Sequence, residues 1–371
     1  MKKKYIILCN SAEIGGAETM CVIIANKIIS KKNSEVFFIC YQNGRIFKRL
    51  DQRAEIKILS GKNSFQKAYS LNKFIKHLEG DLTIVSVVTG LNFIAALNII
   101  HHKIFKNFDF YRSKNICLYS WEVNNLRSRK ITKIKYLFNI FKLNIISLFS
   151  KKLICISRDI FDEFRRFLIY NKNLNKIGCP VYEMNPKIKE KLEISITKQD
   201  YIISISRHHP QKDLLLLVDI FYRLIKFGLM YKLHIYGEFN KNYTYLLRKK
   251  IKELNLESKV ILFQPVTNII SAIKGAKFML HTAAWEGLGN SLIESIYNGT
   301  PVVALNCPGG IKDYLRTGEN GILINSRNAD IIAETIISKN ILLNKLKSSN
   351  MKETIIEYEA NYVLDQLFNE D

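Results

Sequence analysis

The chain has 371 residues, of which 47% are hydrophobic and 24% charged, with seven cysteines and a net charge of +23. This length and composition exclude a disordered chain and predict a globular protein of roughly two to three domains. No run approaches the ~20 apolar residues of a membrane-spanning helix. The apolar stretch of the start, MKKKYIILCN, is too short for a signal peptide. An odd cysteine count without a C-x-x-C pair predicts reduced cysteines in a cytoplasmic protein and argues against a structural zinc site.

Short β-rich runs alternate with longer helical stretches along the chain. In the first half the predicted strands are YIILC, VFFIC, IKIL, LTIVSVV, NICLYS and KLICIS. After residue 200 they are YIISIS, LHIYG, VILF, FMLH, PVVAL and GILI. Runs this apolar are typical of strands covered on both faces, and hence of parallel sheets flanked by helices. We therefore predict an α/β protein with two doubly wound domains of about six strands each.

Positive charge is concentrated in the first half. Residues 1–182 contain 32 Lys and Arg against 12 Asp and Glu, whereas residues 183–371 contain 24 against 21. This imbalance predicts that the first half faces an anionic surface. Residues 127–152 mix Lys and Arg with Tyr, Phe, Leu and Ile, which suits a helix on the cytoplasmic face of a membrane. Compositional bias, or a helix that simply covers a sheet, explains the same pattern.

The domain boundary is predicted in residues 183–198, where prolines and mixed charges interrupt the hydrophobic periodicity. We expect an N-terminal domain over residues 1–182 and a C-terminal domain over residues 183–350. The tail over residues 351–371 contains the amphipathic run ETIIEYEANYVLDQLF, which predicts a C-terminal helix.

A candidate cationic site follows the first strand of the second half. The segment YIISISRHHPQKDLLLLVDIF predicts a strand, a loop with Arg207 and Lys212, and a helix. Arginine offers a planar fork of donors for phosphate oxygens, and lysine adds a mobile charge. The loop can therefore clamp a diphosphate, although surface loops also carry Arg and Lys routinely.

A second candidate segment is AAWEGLGNSLIES, residues 283–295. FMLHT before it predicts a strand and NSLIESIYNG a helix, so the glycine turn lies at the carboxyl end of a strand, where ligands bind in open α/β sheets. Free amides at the helix start favour phosphate, and Glu286 and Glu294 can flank it to accept hydroxyl hydrogen bonds. A nucleotide-sugar fits this arrangement, because its diphosphate lies between the hydroxyls of a ribose and those of a hexose. Alternatively, Ser291 and Glu294 form a capping box, and Glu286 is a solvated loop residue.

Four elements follow one another in a familiar order: R-x4-K after a strand, EGLGNSLIE with its E-x7-E frame, GTPVVA, and CPGGIKDYL before GENGILI. Together they resemble the retaining glycosyltransferases of family four, also described as glycosyl transferases group 1, which have the GT-B fold. The resemblance is dense over residues 201–325 and looser in the first half. It implies two facing Rossmann-like domains with an inter-domain cleft.

The resemblance implies donor-site roles for the matching residues. Arg207 and Lys212 would bind the diphosphate of a nucleotide-sugar donor, which the motifs favour as UDP-linked. Glu286 would be the catalytic carboxylate at the sugar hydroxyls, and Glu294 would accept the ribose hydroxyls. The turn would hold sugar and phosphate through Gly287, Leu288, Gly289 and Asn290.

The resemblance also implies features of the first half and of the reaction. Gly15 and Gly16 would close over the cleft, and the tail helix would cross back onto the N-terminal domain. Glu122 stands where many members have histidine, so we expect a contact with sugar or acceptor, although a structural carboxylate fits equally. No metal or other cofactor is expected, since the sequence lacks a D-x-D motif. The expected reaction moves a hexose or N-acetylhexosamine to a glycan or lipid-linked glycan in bacterial-type surface polysaccharide synthesis.

Two other classes fit parts of the sequence. A different GT-B enzyme, such as a sugar-nucleotide 2-epimerase or a phosphorylase, would share the two domains. A nucleic-acid-binding protein would account for the basic charge, but the sequence has no helix-turn-helix, zinc finger or RNP motif. We therefore expect no nucleic-acid partner.

Overall fold

The computed structural model describes residues 2–11, 15–31, 33–105, 115–123, 132–183, 198–266, 268–346 and 348–368. The chain divides into two compact units. The first comprises Met1–Glu183 and Glu357–Asp371, and the second Met184–Ile356.

The first unit is built on a seven-stranded sheet in the order β3-β2-β1-β4-β5-β6-β7, with every pairing parallel. The strands are β1 (Lys3–Cys9), β2 (Ser34–Cys40), β3 (Glu55–Ile58), β4 (Leu82–Val87), β5 (Ile116–Glu122), β6 (Lys152–Cys155) and β7 (Leu174–Lys176). The sequence pattern did not predict β7, because only one of its three residues, Leu174, is apolar. The residues of edge strand β3 are mostly exposed, whereas the central strands are buried, as expected for strands covered on both faces.

Five helices connect these strands: α1 (Gly16–Ser30), α2 (Ser64–Lys76), α3 (Thr89–Phe105), α4 (Lys133–Phe149) and α5 (Arg158–Phe167), with a 3-10 helix at Arg45–Arg49. Three of them begin at a side-chain cap, from Asn63 for α2, Thr132 for α4 and Ser157 for α5. Each cap accepts a hydrogen bond from an amide of the first turn that would otherwise lack a partner. The helix starts are therefore encoded locally.

The second unit repeats the same architecture with six strands in the order β10-β9-β8-β11-β12-β13, again all parallel. They are β8 (Tyr201–Ile205), β9 (Lys232–Tyr236), β10 (Val260–Phe263), β11 (Met279–His281), β12 (Val302–Leu305) and β13 (Gly321–Ile324). In both units the strand order reverses beside the first strand. The predicted α/β class with two doubly wound parallel sheets is confirmed.

The helices of the second unit are α6 (Leu214–Lys226), α7 (Lys241–Glu253), α8 (Ile270–Gly275), α9 (Asn290–Tyr297), α10 (Ile311–Tyr314), α11 (Ala329–Ser338), α12 (Asn340–Lys345) and α13 (Ser348–Glu353). A 3-10 helix at Pro210–Lys212 precedes α6. The apolar stripes of α6, α7 and α11 bury themselves on the sheet in one continuous core. This core fixes the strand ends that carry the predicted site.

The last helix, α14 (Ala360–Phe368), follows a 3-10 helix at Ile356–Tyr358 and packs within the first unit. The ring of Phe368 lies edge-on to the rings of Tyr5 and Tyr119, with centroids 5.8 and 5.5 Å away. Lys152 Nζ donates to the carbonyl oxygens of Gln366 and Leu367, at 3.3 and 3.2 Å. The chain therefore returns to the first unit after completing the second.

Candidate functional site

The predicted site lies at the carboxyl edge of the second sheet, where the strand order reverses. Strands β8 and β11 are neighbours there, although 73 residues separate the end of β8 from the start of β11 in the chain. The loop after β8 carries Arg207 and Lys212, and the loop after β11 carries Glu286 and the glycine turn. Crevices at such reversal points are the usual ligand sites of doubly wound sheets.

The centre of the site is a buried ion pair between Lys212 and Glu286, whose Nζ and Oε1 atoms are in direct contact. Their side chains are 15% and 7% exposed. Nε2 of His281, at the end of β11, lies 2.9 Å from the same carboxylate oxygen, although its alignment falls short of a well-formed hydrogen bond. Glu286 is thus not the solvated loop residue of the alternative interpretation.

The charge of Glu286 is held by its neighbours. Burial by itself raises the pKa of this carboxyl, but the contacts with His281 and Lys212 outweigh burial and lower the pKa to about 2. Glu286 is therefore an anion at neutral pH, and it can accept hydrogen bonds from a hydroxyl-bearing ligand. It is not a proton donor under these conditions.

Backbone contacts fix the two loops to each other. The hydroxyl of Thr282 donates to the carbonyl oxygens of Lys212 and Asp213, both at 3.0 Å. Gln211 accepts from the amide of Ala284 through its own carbonyl at 2.8 Å, and its side chain donates to the carbonyl of Trp285 at 2.9 Å. These hydrogen bonds hold the two loops next to each other, so the backbone as well as the side chains positions Lys212 beside Glu286.

Arg327 ties the same region from a third segment of the chain. Its guanidinium donates to the carbonyl oxygens of Thr282 and Ala283, at 3.0 and 3.1 Å, and pairs with Asp213 at 2.5 Å. Asp213 itself has a left-handed backbone, with φ of +46°, and caps the start of α6. A non-glycine residue in this conformation is uncommon and is typical of constrained functional loops.

The segment around Gly309 and Tyr314 packs closely against the glycine turn after Glu286. A Cβ on Gly309, which has φ of +125°, would come within 1.8 Å of the carbonyl oxygen of Glu286, so only glycine allows this approach. The amide of Gly310 donates to the carbonyl of Gly287 at 2.8 Å. The hydroxyl of Tyr314 donates to the carbonyl of Leu288 at 2.9 Å. These contacts set the direction of the turn and the start of α9.

Helix α9 begins at Asn290, with Gly289 as its cap in a left-handed conformation at φ of +81°. Ser291 therefore lies inside the helix, where its hydroxyl points to the carbonyl of Ile205 at 3.4 Å. The capping box between Ser291 and Glu294 does not form, because Gly289 holds the cap position and Ser291 is already the second residue of the helix. Glu294 lies one turn into α9 and is half-buried.

Arg207 lies just beyond the end of β8 and is exposed. The backbone before it runs against Gly237, where a Cβ would approach the carbonyl oxygen of Ser206 to 1.8 Å. Within the described residues, Arg207 makes no ion pair, unlike Lys212. The two predicted cations thus differ: one is held in the site by Glu286, and the other is available to an anion from solvent.

The remaining predicted residues lie in the first unit. Gly15 directly follows residues 12–14, which fall outside the described ranges, and caps α1 in an extended conformation; Gly16 is the first residue of that helix. Glu122 ends β5 and is 1% exposed. Its carboxylate accepts from Thr89 Oγ1 and from Asn92 Nδ2, both at 2.7 Å.

The turn next to Glu122 has an unusual backbone. Val88, between β4 and α3, has φ of +74°, which is a genuine outlier for a β-branched residue. Its amide donates to the carbonyl of Trp121 at 2.9 Å. Burial raises the pKa of Glu122 to about 7, although the hydrogen bonds from Thr89 and Asn92 oppose the shift. A buried carboxyl that titrates near neutral pH, beside a strained turn, is typical of a functional position.

Sequence reasoning missed three side chains that complete the site in the second unit: His281, Tyr314 and Arg327. A histidine closing the apolar run FMLH was the only local signal for the first. Tyr314 and Arg327 act on backbone carbonyls of distant segments, which leaves no local pattern in the sequence. Among the described residues, no group of three or more His, Cys, Asp or Glu has the geometry to hold a metal ion.

Residues 185–358, just under half of the chain, match the family model described as Glycosyl transferases group 1. The chain contains a glycosyl transferases group 1 domain. The group 1 domain coincides with the second unit and contains both segments that form the Lys212–Glu286 pair.

Two curated relatives with named activities are similar over less than half of this chain. The poly(ribitol-phosphate) alpha-N-acetylglucosaminyltransferase of Staphylococcus aureus is 32% identical over 168 residues, 44% of this chain and 34% of that protein. The poly(glycerol-phosphate) alpha-glucosyltransferase of Bacillus subtilis is 30% identical over 139 residues, 37% of this chain and 20% of that protein. The matched segments thus span about a third or less of these two relatives.

Solved structures are similar over the whole chain. The Anabaena protein Alr3699/HepE, in complex with UDP and glucose, has a TM-score of 0.77 at 18% identity, covering 99% of both chains. A likeness at this identity concerns the fold. The fold is that of the GT-B glycosyltransferases, with a group 1 domain as the second of its two Rossmann-like units.

Proposed function

We propose that the protein is a glycosyltransferase that moves a hexose or N-acetylhexosamine from a UDP-sugar to a glycan or lipid-linked glycan in surface polysaccharide synthesis. The observation that carries the proposal is the buried Lys212–Glu286 pair at the reversal point of a group 1 domain. A cation and a permanently ionised carboxylate beside a glycine turn suit a ligand with both phosphates and sugar hydroxyls.

Each side chain has a distinct task in the proposed transfer, which we take to follow the retaining course of family four. Arg207 and Lys212 stabilise the negative charge that grows on the departing diphosphate. The amides of the turn, with the side chain of Asn290, hold phosphate and sugar. Glu286 accepts hydroxyl hydrogen bonds next to the reacting carbon, and Glu294 accepts those of the ribose.

The proposed transfer needs no metal ion, because two cationic side chains supply the stabilisation of the leaving group. Direct contact with Glu286 holds Lys212 near the predicted phosphate position. Arg207 remains free of ion pairs among the described residues and adds a full positive charge. This distribution leaves Arg207 as the donor-recruiting cation and Lys212 as the fixed one.

The relatives support the donor and acceptor classes. The two curated relatives are named for N-acetylglucosaminyl and glucosyl transfer to polyol-phosphate polymers, and Alr3699/HepE was solved with UDP and glucose. An anionic or lipid-diphosphate-linked acceptor also suits the positive excess of residues 1–182. We propose that the acceptor binds to the first unit, where Gly15, Gly16 and Glu122 are the candidate contacts for substrate.

We further propose that the enzyme works at the cytoplasmic face of a membrane as a peripheral protein. Support comes from the same charge asymmetry, since anionic lipids attract clustered Lys and Arg by about 1 kcal/mol per residue near the surface. None of the helices in the described part of the chain is both long and apolar enough to cross a bilayer.

A screen of UDP- and GDP-sugars for nucleotide release tests the proposal most directly. The parent should release UDP from one UDP-hexose or UDP-N-acetylhexosamine, and Glu286→Ala and Lys212→Ala should not. Transfer to acceptor is read out separately by mass. If both variants turn over like the parent, the site lies elsewhere. Epimerisation of the sugar nucleotide without transfer would instead identify a 2-epimerase.

Replacing Arg207 with alanine should raise KM for the donor by roughly 10- to 100-fold, as expected for loss of a charge-assisted phosphate contact. Because Arg207 is exposed and unpaired within the described residues, the melting temperature should stay unchanged. Arg316→Ala, another surface arginine of the same unit, is the matched control and should change neither quantity. Unaltered donor KM in Arg207→Ala would remove this residue from the site.

A further inference from the structure

Three helices of the first unit form a layer that contains no acidic residue. Helix α3 packs between α2 and α4. Their 47 residues include seven lysines and no Asp or Glu. By contrast, α5, the next helix, carries Asp159, Asp162 and Glu163, and α1 carries Glu18. The absence of carboxylates is thus a property of this layer and not of every helix in the unit.

Helix α4, at one end of the layer, exposes a stripe of large apolar side chains. Ile134 is 82% exposed, Leu137 64% and Phe141 57%, and Phe138 and Leu148 are more than half exposed. These positions recur at intervals of three, four and seven, so they share one face of the helix. The rings of Phe138 and Phe141 stack on each other, with centroids 6.4 Å apart. We call this face the α4 stripe.

The α4 stripe lies opposite the side of the helix that packs on the unit. The buried residues of α4 are Leu143, Ile146 and Ser147, which fall on the other side of the helix at 100° per residue. Helix α4 is therefore apolar on both faces. A surface helix of an isolated soluble unit normally carries polar residues on its outer face, so the α4 stripe needs a partner.

Lysines flank the α4 stripe on both sides. Lys133 precedes it on one side, whereas Lys135 and Lys142 lie on the other. The ammonium of Lys142 sits 4.5 Å from the ring centroid of Phe138 and 5.3 Å from that of Phe93 on α3. Lysine stems can lie along an apolar surface while their charges reach outward to anions.

We propose that the α4 stripe inserts into the headgroup region of an anionic lipid bilayer, with the flanking lysines on lipid phosphates. This inference rests on the proposed membrane location and names the surface that makes the contact. An apolar face bordered by lysine, with aromatic and aliphatic side chains on it, is the pattern of helices that lie in the membrane interface. At 1.5 Å per residue, the 17 residues of α4 span about 25 Å in the membrane plane.

Charge decides between a bilayer and a second copy of the chain. Pairing two α4 stripes would bring Lys133, Lys135 and Lys142 of both copies close together with no carboxylate on either α4 helix to offset them, which costs free energy. An anionic bilayer complements the three lysines that flank the stripe and also accepts its apolar side chains. We therefore assign the stripe to lipid.

Flotation of the full-length protein with vesicles tests the inference. Vesicles are phosphatidylcholine alone or phosphatidylcholine with phosphatidylglycerol. The parent should float with the anionic vesicles, and Leu137→Ser/Phe141→Ser should reduce its partition coefficient at least about tenfold. The matched control is Phe227→Ser/Met230→Ser, which removes two exposed apolar side chains from the second unit and should float like the parent. Thermal melts and UDP release without vesicles verify that each variant is folded.

The outcomes separate the inference from the proposals on which it builds. A parent that stays off anionic vesicles at moderate salt overturns both the membrane location and the α4 stripe as its contact. If the parent and the stripe variant float equally well, the proposed membrane location stands and the α4 stripe is not its contact. Loss of self-association in the stripe variant, with unchanged flotation, would assign the stripe to a second copy instead. UDP release tests the transferase proposal on its own.

Discussion

Replacing Lys212 with methionine should lower the free energy of unfolding of the second unit by about 3 kcal/mol at neutral pH, the low end of the range for breaking a buried ion pair. The substitution removes the ammonium but keeps most of the side-chain volume, so Glu286 stays buried without its main counter-charge. The loss should stay at the low end of that range because His281 Nε2 remains 2.9 Å from the carboxylate oxygen. Denaturant unfolding of parent and variant measures the difference.

The pH dependence of this loss follows from the lowered pKa of Glu286. A carboxyl whose pKa falls from 4.5 to about 2 on folding stabilises the folded state above pH 4.5, and this contribution disappears as the pH falls through the folded value. Without Lys212 the folded pKa rises. The difference between Lys212→Met and the parent should therefore be largest near neutral pH and shrink at acid pH.

The same substitution should reduce donor turnover at least about a hundredfold, the usual effect of removing one charge-stabilising group from a reaction site. Stability and chemistry are separated by Lys212→Met/Glu286→Leu. An apolar pair of similar size should recover most of the lost stability, since buried ion pairs are replaceable in this way. Its turnover should remain as low as that of the single variant. If the double variant regained turnover, the pair would be a structural element with no part in transfer.

The glycine turn, with Glu286 before it and Glu294 in the helix after it, could be predicted from sequence because the signals for strand, turn and helix lie within one short segment. Strand, turn and helix follow one another within 20 residues, and glycine at 289 meets a backbone requirement that the sequence displays directly. Local contacts also set the helix starts at Asn63 and Ser157, where one side chain caps each helix. The two doubly wound sheets could be predicted because every strand except β7 overlaps one of the apolar-rich runs of the sequence.

The contact between Lys212 and Glu286 could not be predicted in this way. It depends on β8 and β11 being neighbours, which is a property of the strand order. Sequence reasoning assigned the lysine to phosphate and the carboxylate to sugar, and it had no means of bringing the two into contact. Capping-box logic failed for a related reason: the helix starts one residue before Ser291, since Gly309 and Tyr314 set the turn from distant parts of the chain.

The α4 stripe shows the opposite limit. Its apolar residues are visible in the sequence, but their periodicity cannot distinguish the face that covers the sheet from the face left exposed. Only the position of Leu143 and Ile146 against the unit shows that Leu137 and Phe141 point away from it.

Replacing Glu122 with glutamine should stabilise the first unit, by on the order of 3 kcal/mol at about pH 8 and by little at about pH 4.5. Burial raises the pKa of this carboxyl from 4.5 to about 7 in the folded state. Between these values the unfolded chain binds fewer protons than the folded one, so the stability of the parent falls as the pH rises. Glutamine carries no charge and removes this loss.

Geometry allows the substitution. Glutamine can still accept from Asn92 Nδ2 through its carbonyl oxygen, and its amide can donate to Thr89, whose hydroxyl acts as donor or acceptor. Denaturant unfolding at both pH values measures the gain, with Glu79→Gln as the control at an exposed carboxylate of the same unit. If the gain in stability were equal at both pH values, the carboxyl of Glu122 would not titrate between them in the folded protein.

Turnover of Glu122→Gln then decides what the buried carboxyl is for. A protein that retains a titratable acid at a cost in stability, beside a strained turn at Val88, is expected to use it. If Glu122 contacts the sugar or the acceptor hydroxyl, the glutamine variant should be more stable than the parent and turn over more slowly. Its turnover should also change less with pH on the alkaline side. Higher stability with unchanged turnover and pH profile would make Glu122 an anchor for Thr89 and Asn92, with no role in the reaction.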